Sequence, residues 1–546
     1  MSKRIHFILI ILVFFVIPFS VFSWGGEVTF FVEKNYDLFN RNTIDCQLLK
    51  TTNRIYFYVE KEWYSNLKEK NQLDSILYNL ANEFEYKIYP TLTASLGSED
   101  NPGIDGDPRI IVVLAPFKEN FNGYIRERDR YSRNFDEKSN EGQIIYLNSN
   151  SLFKDSFETL SYELAHEFSH LIVLKQKPYV DTWYYEFIAE FSSVLLDYDK
   201  TGSFLRQRAQ SLSYLTELKL KDWENREEDY GKVRMLVQYL MEQFGESVIL
   251  NTLKYPSNDP IESLNDSLRQ NGIFQSFDDI FLNWLIANVI NDCRINKAYC
   301  YQNPYLKNFK VTSYTYYLPT QDKSSLSVTD SLDSWSAKFQ KIMGGDGILN
   351  LKFALSETAS IKRIPYITED IYGNRTVNFI DFTTKNTQEV FIDGMGRKYV
   401  AVYFLPFIGA NSEEEIKYYY SWQAINLASN KNTELQIIES LLKQIEFLKE
   451  EIAKLQAQSV PNNKAINGGF CSLFTRDLYF GMKSEEVKCL QQFLANLGEE
   501  IYPEKLVTGY YGPLTQKAVQ RYQAMKGIIA TGYFGPLTRA KVNQEL

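Results

Sequence analysis

The stretch SYELAHEFSHLI, residues 161–172, sets two histidines four positions apart with a glutamate directly after the first. Tyr162, Ala165, Phe168 and Ile172 recur at helical spacing and predict a packed face, leaving His166 and His170 together on the other side. Side chains at i and i+4 of a helix point the same way, so both imidazoles can reach one Zn²⁺ at about 2.0–2.1 Å. Glu167 then stands beside the ion without binding it, where a carboxylate can take a proton from water. The chain contains three histidines, and the third, His6, lies in the N-terminal apolar run. A five-residue HExxH pattern is common by chance, but a chain whose other histidine is confined to a leader does not need this pair for packing.

A catalytic zinc takes three protein ligands and keeps a fourth position open. No histidine remains to serve, so the third ligand is a carboxylate, a cysteine or a weaker donor. Val173 stands where a metzincin extension requires Gly, which excludes that arrangement. Downstream, residues 183–190 read WYYEFIAE. This segment resembles the W-x-N-E-G-x-A-E helix of the gluzincin metallopeptidases, with Tyr185 and Phe187 standing where Asn and Gly are usual. The resemblance implies Glu186 as the third ligand. It makes Glu190, one turn on, the partner that orients a ligand histidine; Glu190 as ligand in place of Glu186 is the competing assignment. YGKVRMLVQYL, starting at Tyr230, is similar to the helix start that carries a catalytic tyrosine in some gluzincins, which implies Tyr230 as oxyanion donor. A packed tyrosine is the plain alternative in a chain with 38 of them. GQIIYLN, residues 142–148, is placed by the same resemblance as the edge strand that pairs with an extended peptide. Together with Gly106–Arg109 and the YLMEQFG helix, these stretches make residues 27–300 most similar to the hyicolysin-type branch of the gluzincins. No G-x-M-E-N motif is present, which favours an endopeptidase. Asp105 and Asp107 read as a polar turn before a strand rather than a calcium loop.

Around this region the chain divides by composition. At 546 residues, with 44% hydrophobic and 15% aromatic content, it is long and apolar enough for several packed domains. A net charge of -9 gives no basic footprint, so nucleic acid is not an expected partner. Lys3 and Arg4, the apolar run Ile5–Ile17 and small residues at Ser20 and Ser23 read as a signal peptide over residues 1–23, with an uncleaved anchor as the alternative. Five cysteines agree with an oxidising destination: Cys293 can pair with Cys300, Cys471 with Cys489, and Cys46 is left over. Strand patterns at residues 54–59, 109–114 and 143–147, a helical pattern over 73–89, and helices through 156–292 predict an α+β domain spanning 24–304. Tyr-, Thr- and Val-rich strands then predict a β-sandwich-like domain over 305–430. Ile438, Leu441, Ile445, Leu448, Ile452 and Leu455 keep heptad spacing, so residues 433–457 read as a helical stalk or a short coiled coil able to pair chains as a homo-oligomer. SVPNNKAINGG, within residues 458–469, is a linker.

TGYYGPLTQKAV at residues 508–519 returns as TGYFGPLTRAKV at 531–542. Each Gly-Pro pair suits a helix start. With the apolar stripe Val487, Leu490, Phe493, Leu494 and Leu497, this predicts a three-helix module over 470–546. The spacing of Gly481, Glu486, Val487, Gln491, Gly509, Gly512, Gln523, Gly532 and Gly535 resembles the peptidoglycan-binding domain family.

The sequence therefore predicts a multidomain α+β protein. A zincin-like metallopeptidase domain (mixed sheet plus helical subdomain) is followed by a β-sandwich-like domain, a stalk and a three-helix peptidoglycan-binding module. The expected function is an exported, wall-anchored zinc endopeptidase acting on a protein or peptide substrate, with Zn²⁺ as cofactor and peptidoglycan as partner. The alternatives are a peptidase acting on peptidoglycan stem peptides, or an inactive wall-binding scaffold.

Overall fold

The computed structural model describes residues 24–118, 121–319, 323–356, 361–409, 418–427, 473–528 and 530–546. The expected leader at 1–23, the stalk at 433–457, the linker at 458–469 and Cys471 lie outside the described residues. The chain forms two compact units, Met1–Ile437 and Ile438–Leu546.

The first unit begins with a six-stranded mixed sheet. Its strands are β1 (Glu27–Phe31), β2 (Thr43–Thr51), β3 (Ile55–Glu60), β4 (Ile110–Ala115), β5 (Gly123–Ile125) and β6 (Ile144–Asn148), in the order β1-β2-β3-β4-β6-β5. β3, β4 and β6 run parallel, flanked by antiparallel β2 and β5. Those three are unbroken apolar runs buried on both faces, as parallel strands require. Phe57, Val112 and Ile145 face the helices, while Tyr58, Val113 and Tyr146 face a smaller core with Trp24 and Phe30. Asp105 and Asp107 are a structural turn: Asp105 accepts from Trp24 Nε1 at 2.6 Å, and Asp107 pairs with Arg109 at 2.7 Å.

One expectation is corrected here. GQIIYLN is not the sheet edge, because β6 is an inner strand and β5 pairs antiparallel along its outer side. Full burial of Ile144–Asn148 already marks an inner strand, whereas three-residue β5 is too short to show periodicity in the sequence.

Helices Phe157–Gln176, Thr182–Leu195, Ser203–Ser213, Glu227–Phe244, Pro260–Gln270 and Phe277–Ile290 follow, and a Cys293–Cys300 disulfide is formed just beyond the last. Cys46 is buried and unbridged. The β-rich region then makes two layers. Tyr314–Leu318, Gln340–Gly344, Tyr399–Phe404, Arg363–Asp370 and Arg375–Asp381 pair in that order in one. Thr387–Met395, Gly347–Leu355, Tyr418–Leu427 and Lys323–Leu332 pair in the other. Among the described residues the two layers share one backbone pairing, Met395 with Tyr399, and Phe404 of one packs on Trp422 of the other at 4.9 Å.

The expected boundary at 304–305 falls inside a continuous core. Ser336–Lys338 pairs on one side with Glu217–Lys219 from the helical region and on the other with Phe407–Ile408. Trp335, fully buried, lies 5.2 Å from Phe277 and 5.5 Å from Phe281.

The second unit contains helices Glu485–Asn496, Pro513–Met525 and Pro536–Asn543. The sequence repeat has one device in each copy. Gln491 Nε2 donates to Tyr510 O and Thr515 Oγ1, while its Oε1 accepts from the backbone of Thr508 and Gly509, all at 2.8 Å. Gln523 does the same to Tyr533 O, Thr538 Oγ1 and Gly532 N, again at 2.8 Å. One buried amide thus satisfies a whole turn in each repeat and fixes where the next helix starts.

Because the helical and sandwich regions share Trp335, calorimetry on residues 24–437 is expected to show one unfolding transition. Trp335→Ala should lower its stability by about 3–5 kcal/mol. Two resolved transitions, with only one moved by the substitution, would contradict a shared core.

Candidate functional site

Ser156 opens the motif helix by accepting from Thr159 N at 3.1 Å. Phe168 then anchors it between Phe84 and Tyr89, with ring centroids at 5.0 and 5.5 Å. The opposite face carries His166 and His170, whose rings stand perpendicular with centroids 4.8 Å apart. Tyr162 is buried in the core as expected, and it also borders the histidine face. It lies one turn before His166, 5.9 Å from its ring, and lines the cleft above the motif.

Glu186 enters from the next helix, Thr182–Leu195. Its Oε2 lies 3.0 Å from His166 Nε2 and its Oε1 3.6 Å from His170 Nε2. One ligand atom from each of His166, His170 and Glu186 falls within 4.8 Å of the others. Tetrahedral ligands at about 2.0–2.1 Å from zinc are about 3.3 Å apart, so the two carboxylate–imidazole distances bracket the separation a zinc ion needs. Two neutral imidazoles and one carboxylate are also a donor set that zinc favours. Among the described residues this is the one cluster of three such groups placed to hold a metal.

The electrostatics follow from burying these groups together. Burial opposes charge on His166, but the hydrogen bond and negative charge of Glu186, helped by Glu167 and Glu190, raise its pKa to about 9. Burial lowers His170 to about 4; Glu186 pulls it back up and charged His166 adds to the fall. Glu186 is held below the usual carboxylate range: burial works against this, and the two histidines outweigh it. Glu167 is pushed up to about 8 by burial, with Glu186 and Glu163 adding repulsion against the pull of His166. Glu186 thus makes His166 hold a proton more tightly than a free imidazole, and a cation bound at this cluster would compete with that proton.

Glu167 lines the cleft with Oε2 buried and unbonded. Its position depends on Gly123 of β5, where an added Cβ would come within 2.8 Å of Glu167 Oε1. Tyr230 also lines the cleft, 6.4 Å from the His166 ring; its hydroxyl donates to Asn225 Oδ1 at 2.7 Å. Burial, then Glu186 and Glu167, raise its pKa. Tyr185, in the place of the usual Asn, turns its ring toward His170 at 6.4 Å, while Phe187 is buried against Trp183 and Tyr184. The cleft has a volume of about 820 Å³, with β5 among its lining.

Glu190 is placed differently from expectation. It accepts from Tyr162 Oη and Arg208 Nε, both at 3.0 Å, and has Arg234 at 3.8 Å. It touches neither histidine, and both Nδ1 atoms are buried without a partner. Its partners are therefore Tyr162 and the two arginines, and not the imidazole the resemblance implied. Arg208 also lies over the Tyr230 ring at 4.7 Å, linking this network to the cleft. Sequence reasoning missed Arg208, Gly123 and Tyr36, another of the tyrosines in the cleft wall. An isolated Arg, Gly or Tyr far from the motif carries no spacing signal.

In the second unit, the backbone around Leu478 pairs with Phe534 and that around Lys483 with Tyr510, so one extended segment ties both repeat turns together. Residues 483–542 match the family model of a peptidoglycan binding domain. The C-terminal module is a peptidoglycan-binding domain. No curated protein matches the chain. Among solved structures, a periplasmic inhibitor of g-type lysozyme from Aeromonas hydrophila aligns at 8% identity and TM-score 0.15, over 20% of this chain and 97% of that one. A family 115 4-O-methyl-α-glucuronidase with specificity for decorated arabinogalactans aligns at 7% identity and TM-score 0.13, over 60% of this chain and 52% of that one. Among the described residues, no helix is long and apolar enough to cross a membrane.

If Glu190 is a structural hub, Glu190→Gln should cost about 3 kcal/mol of stability by stranding buried arginines. Zinc affinity should stay within about tenfold, whereas Glu186→Gln should abolish zinc binding. Thermal melts and zinc titrations on both variants check this. Equal loss of zinc in the two would return Glu190 to the metal shell.

Proposed function

We propose that this chain is an exported zinc endopeptidase of the gluzincin type, held at the cell wall by its peptidoglycan-binding module. The observation that carries the reading is the convergence of His166, His170 and Glu186 on one buried point beside an unbonded Glu167 carboxylate, at the wall of an open cleft. Zn²⁺ bound there supplies Lewis-acid polarisation of a carbonyl and activation of water at neutral pH.

The chain's own residues supply the rest. β5 is the end strand of its sheet and lines the cleft, so its free edge can pair with an extended peptide through main-chain hydrogen bonds. A substrate laid along Gly123–Ile125 brings its scissile bond near Glu167, which packs against Gly123. The Glu167 carboxylate then takes a proton from the attacking water and returns it to the leaving nitrogen. A cation's charge in the site would lower the proton affinity of Glu167 from its metal-free level and set it as a base. For Tyr230 to donate to an oxyanion, its hydroxyl must exchange Asn225 for the substrate oxygen. Anchoring to the wall raises the local concentration of the catalytic unit there.

The purified protein is expected to hold about one zinc and to cleave casein, with activity lost on chelation and restored by Zn²⁺. Glu167→Gln should keep the zinc and lose about 10²–10⁴-fold in kcat. A variant that keeps both zinc and full activity would contradict the assigned base.

A further inference from the structure

The repeated turns of the C-terminal module each project a tyrosine that the fold does not bury. Tyr510 and Tyr533 occupy the same position of the TGY motif and are 44% and 43% exposed, while the next residues, Tyr511 and Phe534, are fully buried. Both rings lie against a glycine two residues on: a Cβ at Gly512 would meet the Tyr510 ring at 3.3 Å, and one at Gly535 the Tyr533 ring at 2.5 Å. Each ring thus has one side covered by backbone and the other toward solvent.

A third aromatic joins the second of these. Leu478 and Phe534 exchange both backbone hydrogen bonds, at 3.1 and 3.0 Å, and both side chains are buried. The following pair in an antiparallel ladder projects to the opposite side. That pair is Tyr479 and Tyr533, and Tyr479 is 49% exposed. Tyr533 is held in place by its hydroxyl, which donates to Asp477 Oδ2 at 2.7 Å, and Asp477 is itself paired with Arg539. At the other turn the neighbour of Tyr510 is Lys483, an exposed cation. Arg476 and Lys488 pair with glutamates, whereas Lys483 pairs with no carboxylate among the described residues.

We propose that Tyr479 and Tyr533 form the principal sugar-stacking platform of this module, and that Tyr510 with Lys483 forms a second subsite. The ligand is a strand of N-acetylated amino sugars bearing carboxylates. The C–H face of a pyranose ring is weakly electropositive and matches the negative face of an exposed phenol ring. Lys483 meets a stem-peptide carboxylate beside it. Rings fixed in advance by glycine and Asp477 lose little freedom on binding. This rests on the assignment of residues 483–542 to peptidoglycan binding.

Co-sedimentation of the full chain with purified sacculi tests it. Tyr479→Ala should weaken binding about fivefold to tenfold, and Tyr479→Ala with Tyr533→Ala by more than either alone. Tyr533→Phe, which keeps the ring but loses its tie to Asp477, should bind more weakly than wild type and more tightly than Tyr533→Ala. Leu537→Ala, on an exposed aliphatic side chain of the third helix, should change nothing. Melting curves on each variant separate lost contact from lost fold. If wild type sediments and the folded double variant sediments equally, the platform is wrong. If wild type fails to sediment at all, the wall-binding assignment fails and the platform with it.

Discussion

Glu186 sets its carboxylate between two buried imidazoles, and much of the surrounding architecture serves to hold it there. Removing a carboxylate and two histidines from water is costly unless they meet one another or a cation. The motif helix can bury its histidine face because Phe168, on the other side, is gripped by Phe84 and Tyr89. The Glu186 helix is fixed in turn by Trp183 and Phe187 within the core, and by Glu190 against Arg208 and Arg234. Both histidines leave Nδ1 unbonded, so their orientation comes from ring packing and from Glu186 and not from an outer carboxylate.

The same constraint orders the cleft. β5 runs past Glu167 only because Gly123 has no side chain, and Arg208 reaches from the Glu190 network to the face of Tyr230. The candidate metal site, candidate base and candidate oxyanion donor therefore depend on one another through packed contacts. Such sites tolerate little displacement, since an error near 1 Å at the reacting groups is costly to rate.

Legibility in the sequence followed periodicity. Phe57, Val112 and Ile145 lie in long apolar runs, so the three inner strands are readable. His166, His170 and Glu186 sit on helical spacings or in a recognisable segment, and the structure brings them together. The edge strand was misplaced because Gly123–Ile125 is too short to carry a pattern, and Glu190 because spacing alone cannot reveal that Arg208 and Arg234 compete for it. The sandwich region reads as β-rich from composition, but nothing local announces that Trp335 packs into the helical core. In the C-terminal module, the repeat was plain, yet the reason each copy keeps a glutamine, a buried amide closing the next turn, needed the hydrogen bonds of Gln491 and Gln523.

The central claim is that His166, His170 and Glu186 bind one zinc ion. X-ray absorption at the zinc edge on the purified, zinc-loaded protein tests this most directly. The account predicts one zinc per chain with two imidazole nitrogens and carboxylate oxygen in its first shell. The imidazole signal should fall by half in His170→Ala, and Glu186→Ala should leave no zinc at the site. A shell without imidazole, or one unchanged by either substitution, would contradict it.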